Sequence, residues 1–268
     1  MKKSIIIFCA VVAILSLTAF GILNWEEGAI VQPAVSEIEV VASVLPEERK
    51  IKKRTFPDFI YDVGPRFGPI KKSDLAKART FEDFISEEHA KRIVTYKSLS
   101  VIYIINDEQS KLMETGYSKT LTAAQLKFLQ TANYSTNFIV RAEYQEKNKE
   151  TGDLEDSYST PHRTIVPEKQ AVYASGKDVL IEYLKEKSKE ARKDVLVDEL
   201  QPAKLFFTVT KNGTIENVKL DRTSNYPDVD KKMIELIKNA PGTWEAAENA
   251  QGEKVDQELV ISFGLQGC

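Results

Sequence analysis

The sequence contains few of the side chains on which metal binding and redox chemistry depend. Its 268 residues include two cysteines and two histidines. Cys9 lies in an apolar N-terminal run and Cys268 lies at the far end, so we expect no disulfide bond between them within one fold. His89 and His162 are far apart in the sequence, whereas a metal site needs three or four convergent ligands. We therefore predict no metal site and no cofactor.

The sequence also lacks the pattern of a hydrolase. Ser157 and Ser159 precede His162, but no G-x-S-x-G turn is present and no acid is placed to orient the imidazole. His89 lies among Glu and Lys side chains, which is typical of a solvated helix face. The sequence therefore predicts no catalytic residues and a protein that is not an enzyme. An enzyme of the cell envelope is the least favoured alternative.

A surplus of basic residues is absent as well. The 37 Lys and Arg residues are balanced by 40 Asp and Glu residues, which gives a formal net charge of −3. The chain contains no stripe of Arg and Lys with interleaved aromatic residues. We therefore expect no nucleic-acid partner.

One long apolar run is present, and it lies near the N-terminus. The run from Ser4 to Trp25 carries no charge and follows two lysines, and about 20 such residues span a bilayer. The lysines predict a cytoplasmic N-terminus. We interpret residues 1–25 as a retained membrane anchor; the alternative is a signal sequence cleaved near Ala19-Phe20-Gly21. Either way, the rest of the chain is predicted to leave the cytoplasm, as a single-pass protein at most.

The region after the anchor is divided into a predicted stalk and a predicted middle domain. Residues 26–79 hold half of the ten prolines and show no regular hydrophobic period, which indicates a stalk or linker. Residues 80–170 indicate a small α+β unit of order β-α-β-β. Its first strand is Leu99–Ile105, its helix begins with the capping-box spacing of Thr122 and Gln125, and its last two strands fall within 137–145 and 157–167. Pro161 indicates that the last strand lies at a sheet edge.

Residues 171–268 predict a C-terminal ββαβ domain after one charged helix. The pair Asn212-Gly213 predicts a hairpin turn, and Gly213 is therefore a structural residue. A helix is predicted to begin at Pro227 and to end before Pro241-Gly242. Trp244 follows this helix, and we expect its ring to cover the helix end in the core rather than to bind a ligand.

The final strand, Val255 to Phe263, is the predicted binding site. A right-handed crossover would place the first strand of the domain in the middle of a three-stranded antiparallel sheet and the last strand at its edge. An open edge offers backbone groups that can accept an extended peptide. We predict that a partner binds along this strand at Val255, Gln257, Leu259 and Ile261. The alternatives are an edge strand with nothing bound, and strand exchange that produces a homodimer.

The segment from Ala203 to Phe263 resembles the C-terminal domain of TonB family proteins. The resemblance depends on the strand before KNGTIENVKL, on NYPDVDKKMIELIKNAPGTW, on the tryptophan two residues before an alanine, and on GEKVDQELVISF. The sequence departs from the family pattern at Ala246, where the family has proline. It also lacks the usual Tyr-Pro before the first strand, the long Pro-rich spacer and a histidine in the anchor.

The resemblance implies a function in energy transduction. A TonB-like protein is held in the inner membrane by a single span, with the bulk of its chain in the periplasm. It binds an outer-membrane TonB-dependent receptor by strand addition and transmits energy from the subunits of a proton-driven motor. The alternative is an envelope adaptor that uses the same fold without energy input, with the middle domain as the specific binder.

Overall fold

The computed structural model describes residues 59–265. Its strands are β1 (Ile60–Gly64), β2 (Gly68–Lys71), β3 (Ile93–Ile105), β4 (Glu108–Gly116), β5 (Asn137–Lys147), β6 (Leu154–Ser159), β7 (His162–Val166), β8 (Val172–Tyr173), β9 (Ala203–Val209), β10 (Ile215–Arg222), β11 (Trp244–Glu245), β12 (Ala247–Glu248), β13 (Lys254–Val255) and β14 (Gln257–Gly264). Its helices are α1 (Lys72–Leu75), α2 (Glu87–Ala90), α3 (Ala123–Thr131), α4 (Lys177–Lys187), α5 (Lys189–Arg192) and α6 (Pro227–Lys238), with a 3₁₀ turn at Phe81–Phe84. The chain is therefore of the predicted mixed α+β class.

The predicted anchor, residues 1–25, and residues 26–58 of the predicted stalk lie outside the described residues. Within residues 59–265, none of the helices has the length and apolarity needed to cross a bilayer.

The strands form two larger sheets, each in its own lobe. The C-lobe contains β1 and β8–β14 with α4–α6, and its main sheet has the order β1-β14-β9-β10. The N-lobe contains β2–β7 with α1–α3, and its sheet has the order β2-β7-β5-β3-β4, with β6 paired to β5. All of these residues belong to one compact unit of the chain.

The C-lobe contains the predicted ββαβ elements. Strands β9 and β10 form the predicted antiparallel hairpin, and β14 pairs with the other side of β9, which is therefore internal to the sheet. Helix α6 begins with Pro227 in its first turn, as predicted, because proline fits where the backbone N–H has no intrahelical partner. Val229, Met233 and Ile237 on one side of α6 are fully buried in the C-lobe core.

The three-stranded sheet predicted for this domain is wrong, because the sheet has a fourth strand. Strand β1 pairs antiparallel with β14 from Ile60 opposite Gly264 to Gly64 opposite Val260. Residues 59–79 were predicted as stalk, but they form β1, β2 and α1 and belong to both sheets. The segment contains a short alternation that marks a strand: Phe59 and Tyr61 are buried, whereas Ile60 and Asp62 are exposed.

The N-lobe is larger than the predicted β-α-β-β unit. The predicted strand at Leu99–Ile105 is part of β3, and helix α3 has the predicted capping box between Thr122 and Gln125. Strands β2 and β4 were not predicted; β4 is polar and lies at an edge, so it lacks the apolar run of a buried strand. The segment 157–167 contains parts of two strands rather than one, because the strand is interrupted at Pro161. Both β6 and β7 pair with β5.

Each lobe has its own apolar core, and the two sheets meet between them. Ile102 and Ile139 of the N-lobe and Phe206 and Val260 of the C-lobe are buried but belong to neither core. A small polar cavity of about 110 Å³ is lined by residues of both sheets, including Phe206. The backbone N–H of Glu258 in β14 also donates to the Ser135 hydroxyl of the N-lobe at 3.0 Å.

Candidate functional site

The residues predicted to bind a partner lie inside the C-lobe. Gln257, Leu259 and Ile261 of β14 are almost fully buried, and Leu259 and Ile261 belong to the C-lobe core. Val255 lies in β13, where it pairs with Ala247. The prediction that the last strand is a sheet edge is wrong, because β9 pairs with β14 on one side and β1 pairs with it on the other.

The part of β14 that β1 does not reach is also occupied. The Glu258 N–H, which lies before the stretch that β1 pairs, donates to Ser135. The neighbouring Gln257 side chain accepts from the Ala171 N–H at 2.8 Å and donates to the Gln170 side chain at 3.2 Å. In the structure as described, β14 therefore offers little backbone to a partner strand.

Strand β1 is held by buried aromatic side chains. Phe59 and Tyr61 belong to the C-lobe core, and burial of each such side chain contributes roughly 1.5–3 kcal/mol. The Tyr61 hydroxyl shares a 2.9 Å hydrogen bond with Ser188, and the Arg192 guanidinium lies 5.1 Å from the centre of the Phe59 ring. These contacts make β1 an integral strand of the C-lobe.

Trp244 and Gly213, the two residues predicted to be structural, lie against each other. Gly213 has a φ of 76° in the turn between β9 and β10, and a Cβ atom there would lie 2.5 Å from the Trp244 carbonyl oxygen. The Trp244 ring contacts Phe207 of the core at 5.3 Å between centroids and Tyr173 at 5.4 Å. The ring is only partly buried, however, and its remaining surface faces a pocket.

This pocket, here named the Trp244 pocket, has a volume of about 420 Å³. Its walls are mostly apolar and include Val63, Tyr173, Leu180, Trp244 and Leu259. These side chains come from β1, β8, α4, β11 and β14, so they are brought together by the fold alone. A concave apolar site of this size is the usual form of a small-molecule site.

The edges of the two sheets differ in how regular they are. Strand β6 pairs with β5 through six consecutive residue pairs, from Ser159 to Leu154, without a register shift. The pairing of β4 with β3 and that of β10 with β9 are both interrupted by register shifts. The side of β6 that faces away from β5 has no strand partner among the described residues. Leu154 and Tyr158 on this strand are 55% and 66% exposed.

A shallow cavity of about 230 Å³ borders β6 on the sheet face that carries Tyr158. It is lined by Lys97, Arg141 and Asp156 together with Tyr158. Lys97 and Asp156 form a 2.5 Å ion pair, and the Arg141 guanidinium lies 5.7 Å from the centre of the Tyr158 ring. Positively and negatively charged side chains therefore lie beside an exposed aromatic ring along this edge.

The two histidines lie in different surroundings, and neither imidazole ring is hydrogen-bonded to a serine hydroxyl among the described residues. His89 Nε2 lies 2.6 Å from the Tyr144 hydroxyl and 4.0 Å from the Glu146 carboxylate, which also pairs with Arg92. Burial is the main reason why the pKa of Tyr144 is raised, which favours its neutral hydroxyl form. His162 is exposed, and its Nδ1 lies 2.7 Å from a backbone carbonyl. Among residues 59–265, no group of three or more potential ligands is placed to hold a metal ion.

The cavity between the sheets contains charged groups that sequence reasoning did not identify. Arg66, in the connection between β1 and β2, forms ion pairs with Asp107 of the N-lobe and Asp221 of β10. Burial lowers the pKa of Arg66 and raises that of Glu258. Arg66 lies in a Pro- and Gly-containing segment without a clear period, and its partners are distant in sequence, so no local pattern reveals the cluster.

Comparison of the chain with family models, with curated proteins and with solved structures finds no match. The resemblance of residues 203–263 to the TonB C-terminal domain therefore stays a prediction.

Proposed function

We propose that the chain is a membrane-anchored adaptor of the cell envelope, which holds a partner polypeptide on the periplasmic side without catalysing a reaction. The apolar run at residues 4–25 supports the anchor, and the resemblance of residues 203–263 supports an envelope role. The binding site in this proposal is the N-lobe, as in the non-energised alternative that the sequence leaves open.

The open edge at β6 is the observation that carries the proposal. It presents a regular six-residue strand with one side unpaired among the described residues, and partner strands add to such edges through backbone hydrogen bonds. Leu154 and Tyr158 would contact the side chains of the added strand. The ion pair of Lys97 with Asp156 would favour a partner strand that carries charge at the matching position.

The proposal is tested with proline substitutions in β6. In an antiparallel ladder, alternate residues direct their N–H groups toward the paired strand and toward the open side. Of the neighbouring variants Asp156→Pro and Ser157→Pro, one therefore removes an outward N–H and keeps the pairing with β5. We expect that variant to retain its thermal unfolding midpoint and to lose the partner when full-length protein is captured from detergent-solubilised envelopes. Retention of every partner by both folded variants refutes the proposal.

A cross-linking experiment tests the same edge without altering the backbone. A benzophenone amino acid is placed at Tyr158, and in the control protein it replaces Tyr117, which is 81% exposed and lies outside β6. We expect cross-linking of a polypeptide in the envelope from position 158 and not from position 117. Equal cross-linking from both positions would indicate random encounter.

The energised role of a TonB-like protein is the second candidate function. The observation that favours it is β1, since this strand lies in the segment predicted as stalk and enters the C-lobe as the neighbour of β14. Tension on the N-terminal segment would therefore act on the C-lobe sheet. Under this candidate, the captured proteins include motor subunits and an outer-membrane TonB-dependent receptor; an adaptor retains its partner without motor subunits.

A further inference from the structure

We propose that the Trp244 pocket binds a small, uncharged, apolar molecule, such as a compound with one or two aromatic rings. This site is separate from the β6 edge, and its occupant does not depend on the adaptor function. The proposal is based on the origin of the cavity, on its aromatic wall and on the state of the polar groups around it.

The cavity exists because two segments diverge over β14. Strand β1 pairs with β14 as far as Gly64 opposite Val260, and Pro65 follows, which has no N–H to continue a ladder. The preceding residue of β14, Leu259, pairs with Phe207 of β9 on one side but has no β1 partner on the other, where residues 170–174 line the pocket. The gap between them reaches the C-lobe core, to which Leu259 and Leu180 belong.

The volume of about 420 Å³ is far larger than a packing defect. It equals the liquid volume of more than ten water molecules, at about 30 Å³ each, and lies within the range of roughly 300–1,000 Å³ found for ligand sites. Its aromatic wall is fixed, because the Trp244 ring packs edge-on to Tyr173 and against Phe207. A rigid apolar wall lets a ligand bind without ordering further side chains.

Two polar side chains at the pocket, Lys177 and Gln170, already have partners within the chain. The Lys177 ammonium forms an ion pair with Asp62 at 2.5 Å, so this lysine does not offer an unpaired positive charge to a ligand in the pocket. The amide of Gln170 is bonded to Gln257, as described above. The buried side-chain atoms that lack a hydrogen bond in residues 59–265 belong to Arg66, Arg92, Tyr96, Arg141 and Glu146, and none of these residues lines the pocket. A charged ligand would lose its hydration here and meet only the neutral Tyr173 hydroxyl and Trp244 indole N–H, whereas an apolar ligand has no such hydration to lose.

The backbone around the pocket favours a small molecule over a polypeptide. The N–H groups of Ala171, Ala174 and Gly176 all donate within the chain, to Gln257, Thr243 and Tyr173. An extended peptide would therefore find these donors occupied along the rim. A small apolar molecule needs no such donor.

The test uses full-length protein in its own membranes and a neutral aryl diazirine as the probe. After irradiation, labelled positions are mapped by mass spectrometry, with and without excess naphthalene as a competitor. We expect saturable labelling of pocket residues such as Val172 and Leu180, reduced at least tenfold by the competitor. Absence of labelling there, or labelling that the competitor does not reduce, overturns the proposal.

Two substitutions fill the pocket from exposed positions and so spare the core. Ala174→Trp and Val172→Trp each place a large ring at the pocket lining, and Ala124→Trp on α3 is the matched control at an exposed alanine outside it. We expect either filling variant that keeps its thermal unfolding midpoint to lose the label at Leu180, while the control keeps it. If the folded filling variants keep the label at Leu180, the proposed occupant is wrong. It is also wrong if labelling of the wild-type protein is not saturable and the filling variants lose a captured polypeptide instead.

Discussion

The aromatic side chains of β1 provide a quantitative test of whether this strand is part of the folded core. Phe59 is 2% exposed, and Phe→Ala changes in protein cores cost roughly 3–5 kcal/mol. Loss of the contact with the Arg192 guanidinium, which is itself only 6% exposed, adds about 2 kcal/mol. The next residue, Ile60, is 48% exposed, and its change to alanine should cost less than about 1 kcal/mol. We therefore expect Phe59→Ala to be several kcal/mol more destabilising than Ile60→Ala, although Ile60 is the first residue of β1 and Phe59 directly precedes it.

Trp244 reports the unfolding of the C-lobe in this experiment. The chain has two tryptophans, Trp25 and Trp244, so Trp25→Phe in every protein leaves Trp244 as the single emitter. Urea titrations of Phe59→Ala and Ile60→Ala in this background give the two differences in the free energy of unfolding, from midpoint and slope.

Equal midpoints for Phe59→Ala and Ile60→Ala would refute the reasoning. That outcome would mean that β1 lies on β14 without its aromatic side chains supporting the core. The edge of β14 would then be open to a partner strand at little cost in stability, and the binding site predicted from the sequence would return to consideration.

Three further changes test other parts of the structure by urea unfolding. Burial raises the folded-state pKa of Glu258 above the unfolded value of about 4.3, so the contribution of this group to stability is present below that pH and is lost as the pH rises through the folded pKa. Glu258→Gln should flatten this decline in the free energy of unfolding. An unchanged dependence of that free energy on pH between pH 4 and 7 would contradict the prediction. Gly213→Ala should destabilise the fold more than Gly252→Ala. Both glycines have positive φ, which costs an alanine about 1–2 kcal/mol, but only a Cβ atom at Gly213 would meet the Trp244 carbonyl. Equal losses of stability would show that the turn at Gly213 relaxes. Gln125→Leu should cost about 1–3 kcal/mol for each carbonyl of β3 and β4 that loses its buried donor, and a loss below 1 kcal/mol would imply that water replaces the amide.

The elements that the sequence predicts correctly are those with strong local signals. The turn at Asn212-Gly213 and the capping box of Thr122 and Gln125 are each contained in a few neighbouring residues, and both occur in the structure. Helix α6 is similar, because its buried stripe repeats with the helical period between a proline at its start and Pro241-Gly242 after its end. Local physical chemistry is sufficient to define such elements.

The prediction of the binding edge failed because an edge is a property of the whole sheet. The pattern of β14 is the same whether or not another strand covers it, and the covering strand lies about 200 residues earlier in the sequence. The alternation of Phe59, Ile60, Tyr61 and Asp62 was the available signal, but the surrounding prolines and glycines obscured it. The edge predicted from Pro161 for a single strand at 157–167 is correct only for β6, because β7, which follows Pro161, pairs with β2 and with β5.

The pocket and the charged cavity could not be predicted from local patterns. The walls of the Trp244 pocket come from five strands and helices that are separated in sequence, and the cavity between the sheets depends on how the two lobes meet. Trp244 packs against the core through Phe207, and one side of its ring also forms a pocket wall; that the ring covers the end of α6 stays a prediction. Which side of the Trp244 ring packs and which side is exposed can be read only from the three-dimensional structure.

The pairing of β1 with β14 has a consequence for biosynthesis. Synthesis proceeds at about 5–20 residues per second, so Ile60 has left the ribosome well before its partner Gly264 has been made. Contacts between residues so distant in sequence also form slowly, because the intervening chain must be closed into a loop. The C-lobe sheet is therefore incomplete until nearly the whole described chain has emerged. The N-lobe sheet needs no residue after Val166, so the C-lobe sheet is expected to be the last part of the described chain to assemble.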